Sequence, residues 1–169
     1  ADRPDFFKQC MYMLLCGCGV GFSVQYHHIN QLPIIRRPST KEKIYIIEDS
    51  IEGWSNSIGL LMYSYFFGGD RVNFDFSLIR KKGSKINGGG KAPGPEPLKK
   101  SLVLIEDILS NAIDRKLKPI EVYDIVMHIA DSVISGGVRR SATICIFSKE
   151  DKEMINAKTG NWFNENPQR

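Results

Sequence analysis

Val72-Asn73-Phe74-Asp75-Phe76-Ser77-Leu78-Ile79-Arg80-Lys81-Lys82-Gly83-Ser84-Lys85-Ile86-Asn87-Gly88-Gly89-Gly90-Lys91-Ala92-Pro93-Gly94-Pro95-Glu96-Pro97-Leu98 runs from an alternating segment, through a basic glycine loop, into helical spacing. Strand, loop and helix in that order predict an α/β arrangement. Three consecutive glycines allow the backbone to approach a ligand closely. Lysines flank them, and a helix N-terminus is expected just after the prolines. Backbone N–H groups, ammonium groups and a helix dipole directed at one place suit a phosphate. A solvated basic loop accounts for the same composition equally well. The stretch is not a P-loop, since no Gly-Lys-Ser/Thr stands at the required spacing. It is not a dinucleotide fingerprint either, because the spaced third glycine and the later acidic partner are missing.

Outward from this loop, helices and strands alternate. Phe6, Phe7, Cys10, Met13 and Leu14 recur at helical spacing after Asp2 and Asp5, which resemble a capping pair around Pro4. That helix should end at Cys16-Gly17-Cys18-Gly19, and Val20–Val24 reads as a short buried strand. Residues 25–43 read as irregular, and 43–47 as a strand. Asp49 or Ser50 is placed to cap a helix carrying Ile51, Trp54, Ile58, Leu61 and Tyr65, which Gly68-Gly69 ends. Beyond the loop, Leu98, Leu102, Ile105 and Leu109 mark one helix. Val122, Ile125, Val126, Ile129 and Val133 mark another, opened by Pro119 and stopped at Ser135-Gly136-Gly137. Residues 142–147 read as a buried strand, a charged helix is expected from 148 or 149 to about 157, and 158–169 reads as loop.

With 169 residues, 42% hydrophobic and 25% charged, the chain has the composition of a soluble globular domain. No apolar run reaches the roughly 18 residues that span a bilayer. Four cysteines without framework spacing, and no secretion signal, favour a reduced, cytoplasmic setting. The net charge of +4 is uneven. Between residues 79 and 100 stand seven basic residues and one acid, Glu96, so the remainder is slightly acidic. That pattern favours a local anion site over a generally basic nucleic-acid coat. The chain starts without Met and stops in a polar segment, Asn166-Pro167-Gln168-Arg169, as an internal fragment would.

Candidate chemistry is sparse. Cys16 and Cys18 are badly spaced for an internal disulfide and lack companions for a zinc site. Cys10 and Cys145 read as core. His27 and His28 are adjacent and suit a surface or hydrogen-bonding role, and His128 lies beside an apolar stripe. No Ser/His/Asp order or carboxylate pair stands out. Gly136-Gly137-Val138-Arg139-Arg140-Ser141-Ala142 offers two arginines for a phosphate or carboxylate, or a basic turn paired with surface acids.

Several stretches, in order, resemble the large subunit of ribonucleotide reductases. They are Gly17-Cys18-Gly19-Val20-Gly21-Phe22-Ser23-Val24, Glu52-Gly53-Trp54, Phe74–Arg80, Gly83-Ser84, Gly89–Leu98 and Gly136–Ala142. The resemblance runs over nearly the whole chain and is closest to the adenosylcobalamin-dependent class II branch, including its triphosphate reductases. It implies a partial ten-stranded α/β barrel, with 1–169 part of one catalytic domain. Strands 20–24 and 142–147 would belong to the barrel, and residues 25–135 would form a helical effector-binding insert between them.

By the same resemblance Asp2 falls near the acid that holds the effector sugar. Asn87 takes the place of a phosphate-binding arginine, so Lys85 and Lys91 would substitute for it. Gly88, Gly89, Gly90 and Gly94 match the loop backbone. Gly21, Phe22 and Ser23 would lie at the substrate end of the barrel. Residues 158–169 resemble the start of the loop that relays effector identity to substrate choice. Implied partners are a ribonucleoside di- or triphosphate, a deoxynucleoside triphosphate effector and a thioredoxin-type reductant, with monomer and homodimer both open. The implied chemistry is thiyl-radical reduction of the ribose 2′-OH. Its cysteines and the adenosylcobalamin contacts match no residue here, so no catalytic residue is assigned and the chain alone is expected to be inactive. A stand-alone nucleotide- or single-strand-binding module is the alternative. A phosphotransfer enzyme ranks below it, because no magnesium-binding acid follows the loop.

Overall fold

A computed structural model describes residues 1–86, 90–134 and 142–169. The elements run α1 (Asp5–Leu15), β1 (Gly19–Ser23), α2 (Tyr26–Ile29), β2 (Glu42–Ile46), α3 (Ile51–Phe67), β3 (Arg71–Asp75), α4 (Glu96–Asn111), α5 (Pro119–Ile134), β4 (Ala142–Ile146), α6 (Lys152–Ile155) and α7 (Trp162–Glu165).

The core is helical. Phe7, Cys10, Met11 and Leu14 of α1 pack on α3 and α5, and α4 lies along α5. Phe7 stacks on Phe66 with centroids 6.3 Å apart, joining α1 to the end of α3. Each fully buried side chain of this size is worth about 1.5–3 kcal/mol. The five apolar residues expected on one face of α5 are all buried, as are Leu98, Leu102, Ile105 and Leu109 of α4. Ser50 is the cap of α3: its hydroxyl accepts from the Gly53 N–H at 2.9 Å. Gly68, at φ +67, closes that helix.

Among the described residues the strands form two parallel pairs, not a barrel. In one, Gly19 faces Ala142 and Ser23 faces Ile146; in the other, Glu42 faces Arg71 and Ile46 faces Asp75. β1 and β4 are therefore neighbours although more than a hundred residues separate them, and because they are parallel the intervening chain must leave at one end of the pair and return at the other. The strands expected to be buried on both faces are not. In β1 only Phe22 is buried, stacked 6.4 Å from Tyr123 of α5. In β4 burial alternates, with Ile144 68% exposed. Helices cover one face of each pair, so an apolar run does not by itself imply two covered faces.

Other expectations shift with local chemistry. Asp2 and Asp5 do not cap α1; Pro4 occupies that position without a side-chain cap, and Asp2 pairs with Arg3 at 2.9 Å. The segment read as irregular contains the turn α2. The charged helix shrinks to α6, because Asp151 caps it by accepting from the Met154 N–H at 3.1 Å. The tail holds α7 and ends on Arg169, which donates to both oxygens of Asp124 on α5, each at 2.7 Å. The stop of α5 at Ser135-Gly136-Gly137 and the paired arginines at 139 and 140 lie outside the described residues. No helix among those described is long and apolar enough to cross a membrane.

Two positions test this packing. A Cβ on Gly53 would sit 2.2 Å from the Glu48 carbonyl oxygen, so Gly53→Ala should destabilise the chain by about 2 kcal/mol or more. Denaturant unfolding measures this, and a change under about 0.5 kcal/mol would refute the close approach. Burial lowers the His128 imidazole below its usual value, helped by Lys100 and opposed by Asp124 and Asp131. The unfolded chain then binds that proton more readily, so this stability is complete above the unfolded value of 6.5 and is lost as pH falls below it. Between about pH 7.5 and 5.5, the range over which a histidine titrates, Tm should drop, and His128→Gln should flatten the drop. An equal slope in both proteins would remove His128 as its source.

Candidate functional site

The glycine loop folds back as a short hairpin. The Gly83 N–H donates to the Ala92 oxygen at 2.9 Å, the Ala92 N–H to the Ser84 oxygen at 2.8 Å, and the Ile86 N–H to the Gly90 oxygen at 3.2 Å. These bonds set Lys85 opposite Lys91 in an antiparallel bridge, with both residues exposed. Like charges directly across a ladder repel. The hairpin accordingly holds two ammonium groups where an anion between them would relieve the repulsion. Gly90 and Gly94 adopt φ +96 and +78, which side chains rarely take. A Cβ on Gly94 would also meet the Lys82 amide nitrogen at 3.0 Å. Asn87, Gly88 and Gly89, the tip of the loop, lie outside the described residues.

Behind the hairpin is a cavity of about 110 Å³. The loop contributes Ile86, Ala92, Pro93 and Gly94 to it, and α3 contributes its first turn from Ser50 to Trp54. Leu15 from α1, and Ser132 and Val133 from the end of α5, complete the wall. At its rim the Arg80 Nε donates to the Asp49 carboxylate at 2.5 Å, and Arg80 also reaches the Lys85 carbonyl at 3.4 Å. The helix N-terminus at this cavity is that of α3, which brings the positive end of its dipole. The first turn of α4 lines a different pocket, with Lys100, His128 and Asp131.

The hairpin thus brings Lys85, Gly90, Lys91 and Gly94 together. Asp2 is placed elsewhere, before α1, whereas the cavity is lined by Leu15 at the other end of that helix, about 15 Å away at 1.5 Å per residue. Gly21, Phe22 and Ser23 sit in β1 against β4. There the Ser23 hydroxyl bonds the His28 Nδ1 at 2.7 Å, and the Ala1 ammonium donates to the Ser23 carbonyl at 2.9 Å.

Arg80, Asp49 and Ser50 escaped the sequence reading as site residues. The signal was available for Arg80, the first of the loop's cations. Its pairing across 31 residues to Asp49 was not. Cys10 and Cys145 have thiols pushed up by burial, to about 12 and about 11, which leaves them poor nucleophiles at neutral pH. Among the described residues no three His, Cys, Asp or Glu side chains gather to hold a metal ion.

Known proteins share this chain's sequence and shape. Residues 24–109 match the family described as B12-dependent ribonucleotide reductase, insertion domain. A probable adenosylcobalamin-dependent ribonucleoside-triphosphate reductase of Dictyostelium discoideum is 39% identical over 75% of the chain and 16% of its own length. The adenosylcobalamin-dependent ribonucleoside-triphosphate reductase of Euglena gracilis is 33% identical over 99% of the chain and 23% of its own length. A crystal structure of a B12-dependent, class II ribonucleotide reductase superposes with TM-score 0.80 at 25% identity, over 92% of this chain and 26% of that one. The chain therefore spans between 16% and 26% of the length of these relatives. Its motifs, its fold and the matched insertion domain place it in the family of B12-dependent, class II ribonucleotide reductases.

Proposed function

We propose that this chain is the effector-binding part of a reductase that converts ribonucleoside di- or triphosphates to deoxyribonucleotides. The hairpin and the start of α3 hold the phosphates of a deoxynucleoside triphosphate. The observation that carries this reading is the bridge that sets Lys85 against Lys91 beside Arg80. Arg80 stands on the rim next to a helix N-terminus, the two lysines stand on the adjoining hairpin, and a polyphosphate reaching all three would neutralise them together. The apolar wall of Ile51, Trp54 and Ile79 gives the cavity a surface that a base or sugar can cover.

The arrangement of elements supports the rest. β1 and β4 lie parallel and adjacent, as two successive strands of a ten-stranded barrel would, with residues 25–135 as the insert between them. α5 offers a mechanical link: Ser132 and Val133 line the cavity, and Asp124, further back on the same helix, grips Arg169 of the tail. A rigid helix contacting both places can bias the tail when the cavity fills. The reducing cysteines and adenosylcobalamin contacts implied by the resemblance match none of these residues, so no adenosylcobalamin contact and no radical step are assigned to them. The ribonucleotide, the reductant and the cofactor would meet other parts of the enzyme.

In the intact reductase, a deoxynucleoside triphosphate should protect Lys85 and Lys91 from amine labelling. Arg80→Ala should weaken effector binding about 10-fold or more, since a charge-assisted hydrogen bond is worth about 1.5–3 kcal/mol. That substitution also leaves Asp49 unpaired at the rim, which repels phosphate further. Labelling indifferent to every deoxynucleoside triphosphate would overturn the proposal. Affinity for single-stranded DNA with a steep salt dependence would favour a nucleic-acid-binding module instead.

A further inference from the structure

The end of α1 carries Cys16-Gly17-Cys18 in a turn closed entirely by the backbone. The Gly17 N–H donates to the Leu14 oxygen at 2.9 Å and the Cys18 N–H to the Met13 oxygen at 3.0 Å. Gly17 is left-handed, at φ +81, and no heavy atom lies within 4 Å of where its Cβ would stand. Cys16 is exposed, Cys18 is partly exposed, and both are free thiols. Their Cα atoms are two virtual bonds apart, hence within about 7 Å of each other. Among the described residues neither sulfur takes part in the hydrogen bonding of the turn.

We infer that Cys16 and Cys18 form a vicinal dithiol site for a soft, thiophilic centre of the trivalent arsenic class. A direct S–S bond across one residue closes a small, strained ring. A bridging atom adds a further bond to that ring and relieves it. The exchange balances without an oxidant: an arsenoxide R–As=O takes two thiols, two As–S bonds form, two S–H bonds break, and the arsenic oxygen leaves as water. The inference uses neither the loop cations nor the cavity that Leu15 lines next to Cys16, so it does not depend on the effector reading. Selectivity follows from burial for Cys10, which is 2% exposed within the core, and from chelation for Cys145, which is partly exposed as Cys18 is but has no second cysteine beside it in sequence.

Phenylarsine oxide added to the full chain, followed by intact mass measurement, tests the inference. One phenylarsine per chain is expected, kept in excess glutathione and removed by 2,3-dimercaptopropanol. Cys16→Ser and Cys18→Ser should each weaken binding about 100-fold or more, because a chelate gains from effective concentration. Cys145→Ser should bind as the parent does. A circular dichroism spectrum equal to the parent's separates loss of the site from loss of the fold. Adducts removed by glutathione, more than one per chain, or retention in either Cys16→Ser or Cys18→Ser would overturn the site.

Discussion

The packing of α1 into the angle between α3 and α5 is the interaction on which everything else depends. A two-stranded parallel sheet cannot stand alone, since it exposes two edges and, if uncovered, two faces. Both pairs therefore need helices to lean on. α1 supplies that support with Phe7, Met11 and Leu14, none of which has any exposed surface. Phe22 reaches from β1 to Tyr123 on α5, so the first sheet is anchored to the same helical layer. Loss of this core would free the sheets and the hairpin together, because the cavity wall is built from the ends of these three helices.

The fold's helices were legible because their signal is local. The stripe Val122, Ile125, Val126, Ile129, Val133 needs only a period near 3.6 to be read, and each member is buried. Strand positions were legible too, within a residue. What was not legible was what each strand faces. Val20–Val24 and 142–147 are apolar enough to be core, yet Ile144 and Ile146 stand exposed on the open face of β4. Composition cannot distinguish an apolar face covered within the chain from one that is not. Short helices were less legible for a different reason. α6 lies inside the charged helix expected there but is cut short by its cap at Asp151, and α7 is a single turn in the stretch read as loop, with too little periodicity to register.

The candidate site divides in the same way. The loop announced itself through glycines and lysines that are close in sequence. The partners that turn it into a site come from far away. Asp49 lies 31 residues from Arg80, and Asp124 lies 45 from Arg169, whose pair is nearly buried at both ends. Such pairs are fixed by tertiary packing, and no local pattern predicts them. Several motifs keep their order along the chain and so carry the family, while the contacts inside the site are set by tertiary packing.

Asp49 gives the rim its electrostatic logic. Lys85, Lys91 and Arg80 are like charges close together in one short loop. The carboxylate offsets one of the three charges and fixes the guanidinium at 2.5 Å, and the Lys85 carbonyl at 3.4 Å adds a second, weaker hold. The two lysines across the bridge have no such carboxylate among the ion pairs of the described residues. One cation is thus held in place in advance and two are left to be satisfied from solution. Under the proposed function, a polyphosphate would meet a guanidinium already held by Asp49 and a pair of ammonium groups whose mutual repulsion its binding would remove. Ile86, Ala92 and Pro93 of the same hairpin line the cavity whose wall Ser132 and Val133 of α5 complete, so the strand segments that carry the two lysines and the end of α5 share one wall.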